Sequence, residues 1–361
     1  MATKHEEVRD YIERMILDGT ISPGNALPGE LELSDTLGVS RNTVRHALMQ
    51  LGERYRIERK PGRGTIFIGE PDNSAQTKAI GIINSSLMYS IYPELVHGIE
   101  DGLYRGGYSM ILANGNYDTE KELESVRRML NQNVSGIIVE PVASATSVQD
   151  RQLLTELNGA GVPVITTNCI IDGLNASYVT LDDEWIGRRA ALFLLDRGHT
   201  RIGCVYKADN QAGVLRFTGF REELESRGVT SLAQYTCGYT QQDEPRLPGA
   251  WCTTEILSRA EEPPTAIFYF NDQIAIQAYE AVRTKGLAVP ENISIIAVDN
   301  VPEAAHVSPP LTTFNHPKYL MGKIVAEMML ARLGPHNDSL HYGVRMTTEL
   351  VQRGSVADLT S

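Results

Sequence analysis

The chain has 361 residues, a net charge of −12, 42% apolar and 22% charged residues. That length exceeds one ordinary core and predicts two or three domains, and the composition excludes a disordered or fibrous chain. The acidic balance excludes a general nucleic-acid coat, so any DNA binding has to be local.

The first elements are helical. Tyr11, Ile12, Met15, Ile16 and Leu17 give an amphipathic helix that Gly19 and Pro23-Gly24 stop. A second helix after Leu27-Pro28-Gly29 presents Leu31, Leu33 and Leu37 and ends at Gly38. Ser40 is placed to cap a third helix, in which Val44, Ala47, Leu48 and Leu51 share the core face. Arg41, Asn42, Thr43, Arg45 and His46 then fall on its exposed first turns. A helix, a tight turn and a cationic helix start are the parts of a helix-turn-helix reader. Next, Arg56–Lys60 and Thr65–Ile68 flank a tip, Pro61-Gly62-Arg63-Gly64, as a hairpin does. Lys60, Arg63 and Gly64 make that hairpin a candidate wing bordering the minor groove. From Arg41 to Arg63 the chain holds seven basic and two acidic residues, the charge pattern of a phosphate-contacting surface.

The polar stretch 69–78 carries a proline and no apolar pattern, and reads as a linker. Beyond it, short β-branched runs alternate with amphipathic helices. Strands are predicted at 79–84, 108–114, 136–141, 162–168, 201–207, 265–271 and 294–300. Helices are predicted at Pro93–Arg105, Thr119–Gln132, Glu184–Arg197, Leu215–Arg227 and Asp272–Lys285. This alternation means an α/β fold with parallel sheets, in two lobes near 79–178 and 179–307 with crossovers near 308–317. The expected fold class is therefore an α+β winged helix-turn-helix head over 1–68, the linker, and a two-lobed α/β effector domain over 79–361.

In such sheets ligands bind beyond the C-terminal strand ends. Five strands close on a residue with two hydrogen-bonding atoms or a charge: Glu140, Asn168, Lys207, Asn271 and Asp299. A polyol suits that set, because each hydroxyl both donates and accepts. Arg216, expected to open a helix, is a bidentate fork for two hydroxyls. His316 lies in a crossover, and Tyr89 and Tyr92 precede the first helix of this region, where a ring can stack on a sugar face or pack in the core.

Two resemblances follow from these residues. The stretch LPGELELSDTLGVSRNTVRHALMQL with RIERKPGRGTIFI resembles the winged helix-turn-helix of GntR-type bacterial repressors. Leu31 stands where that family often has arginine, and Tyr55 where it usually has glycine. The stretches VSGIIVEP, VTLDDEWIGRRAALFLLDRGHTRIG, TAIFYFNDQIAIQAYEAVRTKG and SPPLTTFNHPKYLMGKIVAEMML resemble the LacI/periplasmic sugar-binding fold over most of 79–353. The pairing of the two is similar to the arabinose-repressor family of Bacillus-type bacteria. The resemblance implies effector contacts at Glu140, Asn168, Arg216, Asn271, Asp299 and His316, with Lys207 beside them; Tyr92 joins this candidate set on the ring argument above. It also implies double-stranded operator DNA and a sugar, L-arabinose, as partners, a homodimer, and release of DNA on sugar binding. The dimer contact is expected from the helix Pro317–Leu333 and the segment Tyr92–Tyr104.

Other classes fit less well. No dinucleotide glycine fingerprint, phosphate-cradling loop or metal-ligand pair at helical spacing supports a sugar kinase or dehydrogenase. Asp182-Asp183 start a helix, where acidic residues cap it. No enzyme activity, cofactor or metal is expected. A transport binding protein would carry a signal segment, and the N-terminus opens on charged residues instead. No apolar run reaches the roughly 18 residues of a membrane helix. Cys169, Cys204, Cys237 and Cys252 have neither a zinc spacing nor a disulfide framework and read as reduced cytosolic thiols.

Overall fold

A computed structural model of the chain describes residues 4–60, 63–69, 78–87, 91–142, 144, 151–229, 231–259, 261–334 and 341–360. The chain folds as two compact units, Met1–Thr77 and Lys78–Ser361.

The first unit comprises α1 (Lys4–Leu17), α2 (Glu30–Leu37), α3 (Arg41–Arg54) and an antiparallel hairpin, β1 (Arg56–Lys60) with β2 (Gly64–Gly69). Its core joins Val8 and Ile12 of α1 to Leu33 of α2, Val44, Ala47 and Leu51 of α3, and Phe67 of β2. Each of these side chains larger than alanine contributes about 1.5–3 kcal/mol on burial, which is what fixes three short helices around one hairpin. Gly38, at φ +65°, ends α2 in the left-handed conformation that glycine takes readily. Tyr55 ends α3 and sets its ring edge-on to Phe67, 5.8 Å between centroids, so the bulky residue at the entry to the hairpin is anchored in the core. Pro61 and Gly62 of the hairpin tip lie outside the described residues. So does the expected linker, apart from Gly69, which is the last residue of β2, and Lys78.

The second unit holds two six-stranded sheets. The first lobe runs β3 (Ala79–Asn84), α4 (Ile91–Arg105), β4 (Ser109–Asn114), α5 (Thr119–Asn131), β5 (Gly136–Val139), α6 (Arg151–Asn158), β6 (Val164–Thr167) and β7 (Ser177–Leu181). The second runs α7 (Asp183–Leu195), β8 (Ile202–Lys207), α8 (Gln211–Ser226), β9 (Thr236–Tyr239), α9 (Pro248–Arg259), β10 (Ala266–Tyr269), α10 (Asp272–Thr284), β11 (Ser294–Asp299) and β12 (Thr312–Asn315). The chain then returns to the first lobe as α11 (Lys318–Leu333) and β13 (Gly343–Met346), and ends in the second with β14 (Leu350–Val351). The strand orders are β13-β7-β6-β5-β3-β4 and β14-β12-β11-β10-β8-β9. Every described pairing in them is parallel except β12 with β14. Central strands such as β3, β5, β10 and β11 are buried throughout, as parallel sheets covered on both faces require. Three chain crossings therefore join the lobes, after Leu181, Asn315 and Met346.

Three expectations are corrected. Cys237 and Cys252 are paired as a disulfide rather than being free thiols, because α9 packs on β9 and brings their Cα atoms to 5.7 Å. Cys169 and Cys204 are free and buried. The apolar faces of α4 and α11 are not available for a two-fold contact, because the two helices bury them against each other. Their approach is close: a Cβ on Gly98 would meet the backbone of Tyr319, and one on Gly322 the backbone of Leu95. Finally, Arg216 does not open a helix. Asn210 caps α8 by accepting from Gly213 N at 3.2 Å, and Arg216 stands in its second turn.

Candidate functional site

A cleft between the lobes lies at the C-terminal ends of both sheets, with about 830 Å³ of empty space including its open mouth. All eight of the expected effector positions line it: Tyr92, Glu140, Asn168, Lys207, Arg216, Asn271, Asp299 and His316. All but the half-buried Asn168 are buried.

The first-lobe wall is built around Glu140, which follows β5. Tyr92 Oη donates to its Oε1 at 2.8 Å and Asn168 Nδ2 to its Oε2 at 3.0 Å. Ser85 Oγ lies 2.7 Å from the same tyrosine hydroxyl. Tyr92 is inside the first turn of α4 rather than before it. Burial pushes the Glu140 carboxyl up to about 7, against the downward pull of those hydrogen bonds from Asn168 and Tyr92.

The second-lobe wall carries more charge. Arg216 donates through Nε to Asp183 Oδ1 at 2.8 Å and through Nη1 to the Phe270 carbonyl at 2.7 Å, with its guanidinium 5.1 Å from the Phe270 ring centroid. Asp183 is therefore more than a helix-start residue: Asp182 caps α7 by accepting from Trp185 N, while Asp183 is buried and orients the arginine. Lys207 pairs with Glu244 at 3.1 Å and with Gln241, and its ammonium sits 4.9 Å from the Tyr117 ring centroid in the first lobe. Asn271 Oδ1 caps α10 by accepting from Ile274 N at 3.0 Å. Asp299, the last residue of β11, has φ +116°, a backbone conformation that non-glycine residues adopt only where their surroundings hold them there. Burial pushes its carboxyl up to about 6. His316 is held neutral: burial and then the nearby Lys318 and Arg216 cations lower it to about 3. Its Nδ1 is buried with no partner among the described residues.

A buried ring nitrogen without a partner and carboxylates with raised proton affinity stabilise the site only if a bound group completes their hydrogen bonds. A small neutral polyol does this. Tyr89 lies outside the described residues. Sequence reasoning missed Tyr117, Asp183, Asp209, Gln241 and Glu244, all of which line the cleft. Of these only Asp183 carried a signal, as the second acid of a pair at a helix start.

In the first unit, Ser40 caps α3, accepting from Thr43 N at 3.2 Å. Arg41, Asn42, Arg45 and His46 are exposed, Thr43 is half-buried against the cap, and Lys60, Arg63 and Gly64 are exposed at the hairpin. Lys60 pairs with Glu58 at 3.3 Å. Unforeseen is Glu30 at the start of α2. Its side chain, 16% exposed, holds Arg45 at 2.9 Å, Arg59 at 3.3 Å and Arg41 at 3.8 Å, so one carboxylate joins α2, α3 and β1. Among the described residues no cluster of His, Cys, Asp or Glu is arranged to hold a metal, and no helix is long and apolar enough to cross a membrane.

Comparison with known proteins accounts for both units. Residues 4–67 match the family of bacterial regulatory proteins of gntR type, and 191–356 match the periplasmic binding protein-like domain. The chain is 31% identical over 99% of its length to the arabinose metabolism transcriptional repressor of Geobacillus stearothermophilus, covering 98% of that protein. It is similar in fold to the transcriptional regulator CelR in complex with cellobiose, with a TM-score of 0.69 at 24% identity over 87% of this chain and 90% of that one. A LacI family regulator from Enterococcus faecium with bound ribose gives 0.65 at 26% identity over 78% of this chain and 100% of that one. The second unit thus has the two-lobed LacI-type architecture and the first is a winged helix-turn-helix. The chain is not an enzyme; it joins a gntR-type head to a periplasmic-binding-protein-like domain and belongs to the family of the arabinose-metabolism transcriptional repressors.

Proposed function

We propose that the chain is a cytoplasmic repressor that binds operator DNA as a homodimer and releases it on binding a pentose, L-arabinose. One observation carries the effector reading: polar side chains from both lobes face one buried cleft, and His316 Nδ1 there has no protein partner among the described residues. Glu140, Asn168 and Tyr92 supply the first lobe's contacts, and Lys207, Arg216, Asn271 and Asp299 the second's. The choice of L-arabinose rests on the name of the 31% identical repressor. DNA is read by Arg41, Asn42, Thr43, Arg45 and His46 from α3, with Lys60, Arg63 and Gly64 at the wing. A head of this size contacts too few base pairs alone, so two copies bind pseudo-symmetric half-sites. Since α4 and α11 cover each other, the dimer surface is drawn from what they leave exposed: Tyr104 of α4 (76%), Leu320 and Tyr319 of α11 (51% and 37%), and Leu112 of the edge strand β4 (38%).

Calorimetry with L-arabinose, D-xylose, D-ribose and D-galactose tests the effector. L-arabinose is expected to bind tightest; tighter binding of another sugar reassigns the effector, and no binding by any of them sinks the polyol reading.

A further inference from the structure

We propose that Gln211 is a positioning residue that latches the two lobes, setting the fraction of molecules whose cleft is closed before an effector arrives. The inference rests on the sugar-cleft reading above and adds to it a residue that touches no effector.

Gln211 is the first residue of α8, in the second lobe. Its side-chain amide spans the gap to the first lobe twice. Oε1 accepts from Ile170 N at 2.6 Å and Nε2 donates to Ile170 O at 2.8 Å, in the loop after β6. Its own backbone N–H donates to Ser144 Oγ at 3.1 Å, beyond β5. One residue therefore makes three hydrogen bonds from the second lobe to two separate loops of the first. None of Gln211, Ile170 and Ser144 belongs to one of the chain crossings. A glutamine suits the place because a carboxamide has a donor and an acceptor side by side, matching the N–H and C=O of one backbone residue as a strand neighbour does. Gln211 is not among the residues that line the cleft. Its bonds require the two lobes to be together.

The consequence is quantitative. A ligand that binds only the closed state has its apparent affinity reduced by the fraction of molecules that are closed. Removing the two side-chain bonds lowers the closed-to-open ratio about tenfold at typical hydrogen-bond strengths, and weakens every effector by one common factor that reaches this tenfold where the closed state is the minor one. A residue that contacts the sugar instead weakens different sugars unequally. Both signatures are measurable in the full chain.

The experiment compares wild type with Gln211→Ala, Gln211→Glu and Ser144→Ala. Calorimetry with each sugar that wild type binds is expected to show one common loss of up to about tenfold for Gln211→Ala, with the ratios between sugars unchanged. Gln211→Glu keeps the acceptor for Ile170 N–H but not the donor, and is expected to fall between. Amide exchange at position 211, whose N–H still meets Ser144 Oγ in Gln211→Ala, reads the open fraction without ligand; it is expected to quicken by a factor that, multiplied by the loss in sugar affinity, comes to about tenfold, while the melting temperature stays within a few degrees. Should the alanine variant fail to fold, the glutamate and Ser144→Ala variants carry the same comparison. Altered ratios between sugars, or sugar affinity and exchange at position 211 both unchanged, overturns the latch. Failure of wild type to bind any sugar overturns the effector reading alone, since the exchange measurement needs no ligand.

Discussion

Glu140, placed in the proposed effector site, also bears on stability. Both its oxygens are occupied by first-lobe donors, yet burial still lifts its carboxyl to about 7. Because the folded value lies above the unfolded one, the folded state holds the proton more tightly. Stability from this group is thus complete below about pH 4.5 and is lost as pH rises toward 7, a loss on the order of 3 kcal/mol. Asp299, lifted to about 6, and Asp272, lifted to about 8, act in the same direction, and His316, lowered to about 3, in the opposite one. Glu140→Gln removes one contributor without changing shape. Its melting temperature relative to wild type is expected to climb from pH 5 to pH 8; a constant difference across that range contradicts the assignment. In the head, Glu30→Gln frees Arg41, Arg45 and Arg59 from their shared counter-charge. Affinity for random-sequence DNA is expected to rise several-fold with a steeper salt dependence, while preference for operator falls. Gel shifts against both DNAs at two salt concentrations check this.

At the scale of elements, α7 and α8 decide where Arg216 sits. They pack backbone to backbone: a Cβ on Gly187 would meet the carbonyl of Arg216, and a Cβ on Gly219 the carbonyl of Glu184. Gly219→Ala must push α8 off α7, and with it Arg216 from Asp183. Overpacking of this kind costs about 1–3 kcal/mol, so both a lower melting temperature and at least tenfold weaker sugar binding are expected, whereas Gly228→Ala, open at its Cβ though at φ +80°, is expected to cost stability without affecting the sugar. Long amphipathic helices and apolar parallel strands were legible in the sequence because their periodicities are strong over many residues. Elements β7, β9, β12, β13 and β14 were not, being two to five residues long. They gain their identity from neighbours distant in the chain, as β13 does from β7. The same locality limited the site. Strand-end residues announce themselves by position, so Glu140, Asn168 and Asp299 were readable. Gln241 and Glu244 come from a 3-10 turn, and Gln211 meets Ile170 across 41 residues, none of which leaves a pattern in sequence. The disulfide was missed for the same reason, since a 15-residue spacing says nothing until α9 lies on β9.

At the scale of the whole molecule, the central quantity is the coupling between sugar and operator. A ligand shifts a conformational equilibrium only by its difference in affinity for the two states. A cleft walled by two lobes offers that difference: in the proposed site, a ligand that takes Glu140 and Asn168 from one lobe and Arg216 and Asp299 from the other has both sets only when the lobes are together. Linkage then makes the effect reciprocal: if sugar weakens operator binding by some factor, operator weakens sugar binding by the same factor. With coupling typical of such proteins, about 1–3 kcal/mol, the factor is roughly 5–150. Sugar affinity measured by calorimetry with and without saturating operator DNA is expected to differ by that factor, matching the change in operator affinity from gel shifts with and without saturating sugar. Equal sugar affinities in the presence and absence of operator would exclude the coupling. Asp299→Ala separates the site from the head: it is expected to fold, bind operator as wild type does, and keep it at sugar concentrations that release the wild type. An Asp299→Ala protein that lets go of DNA at the wild-type concentration would remove Asp299 from the effector site while leaving the reciprocity intact.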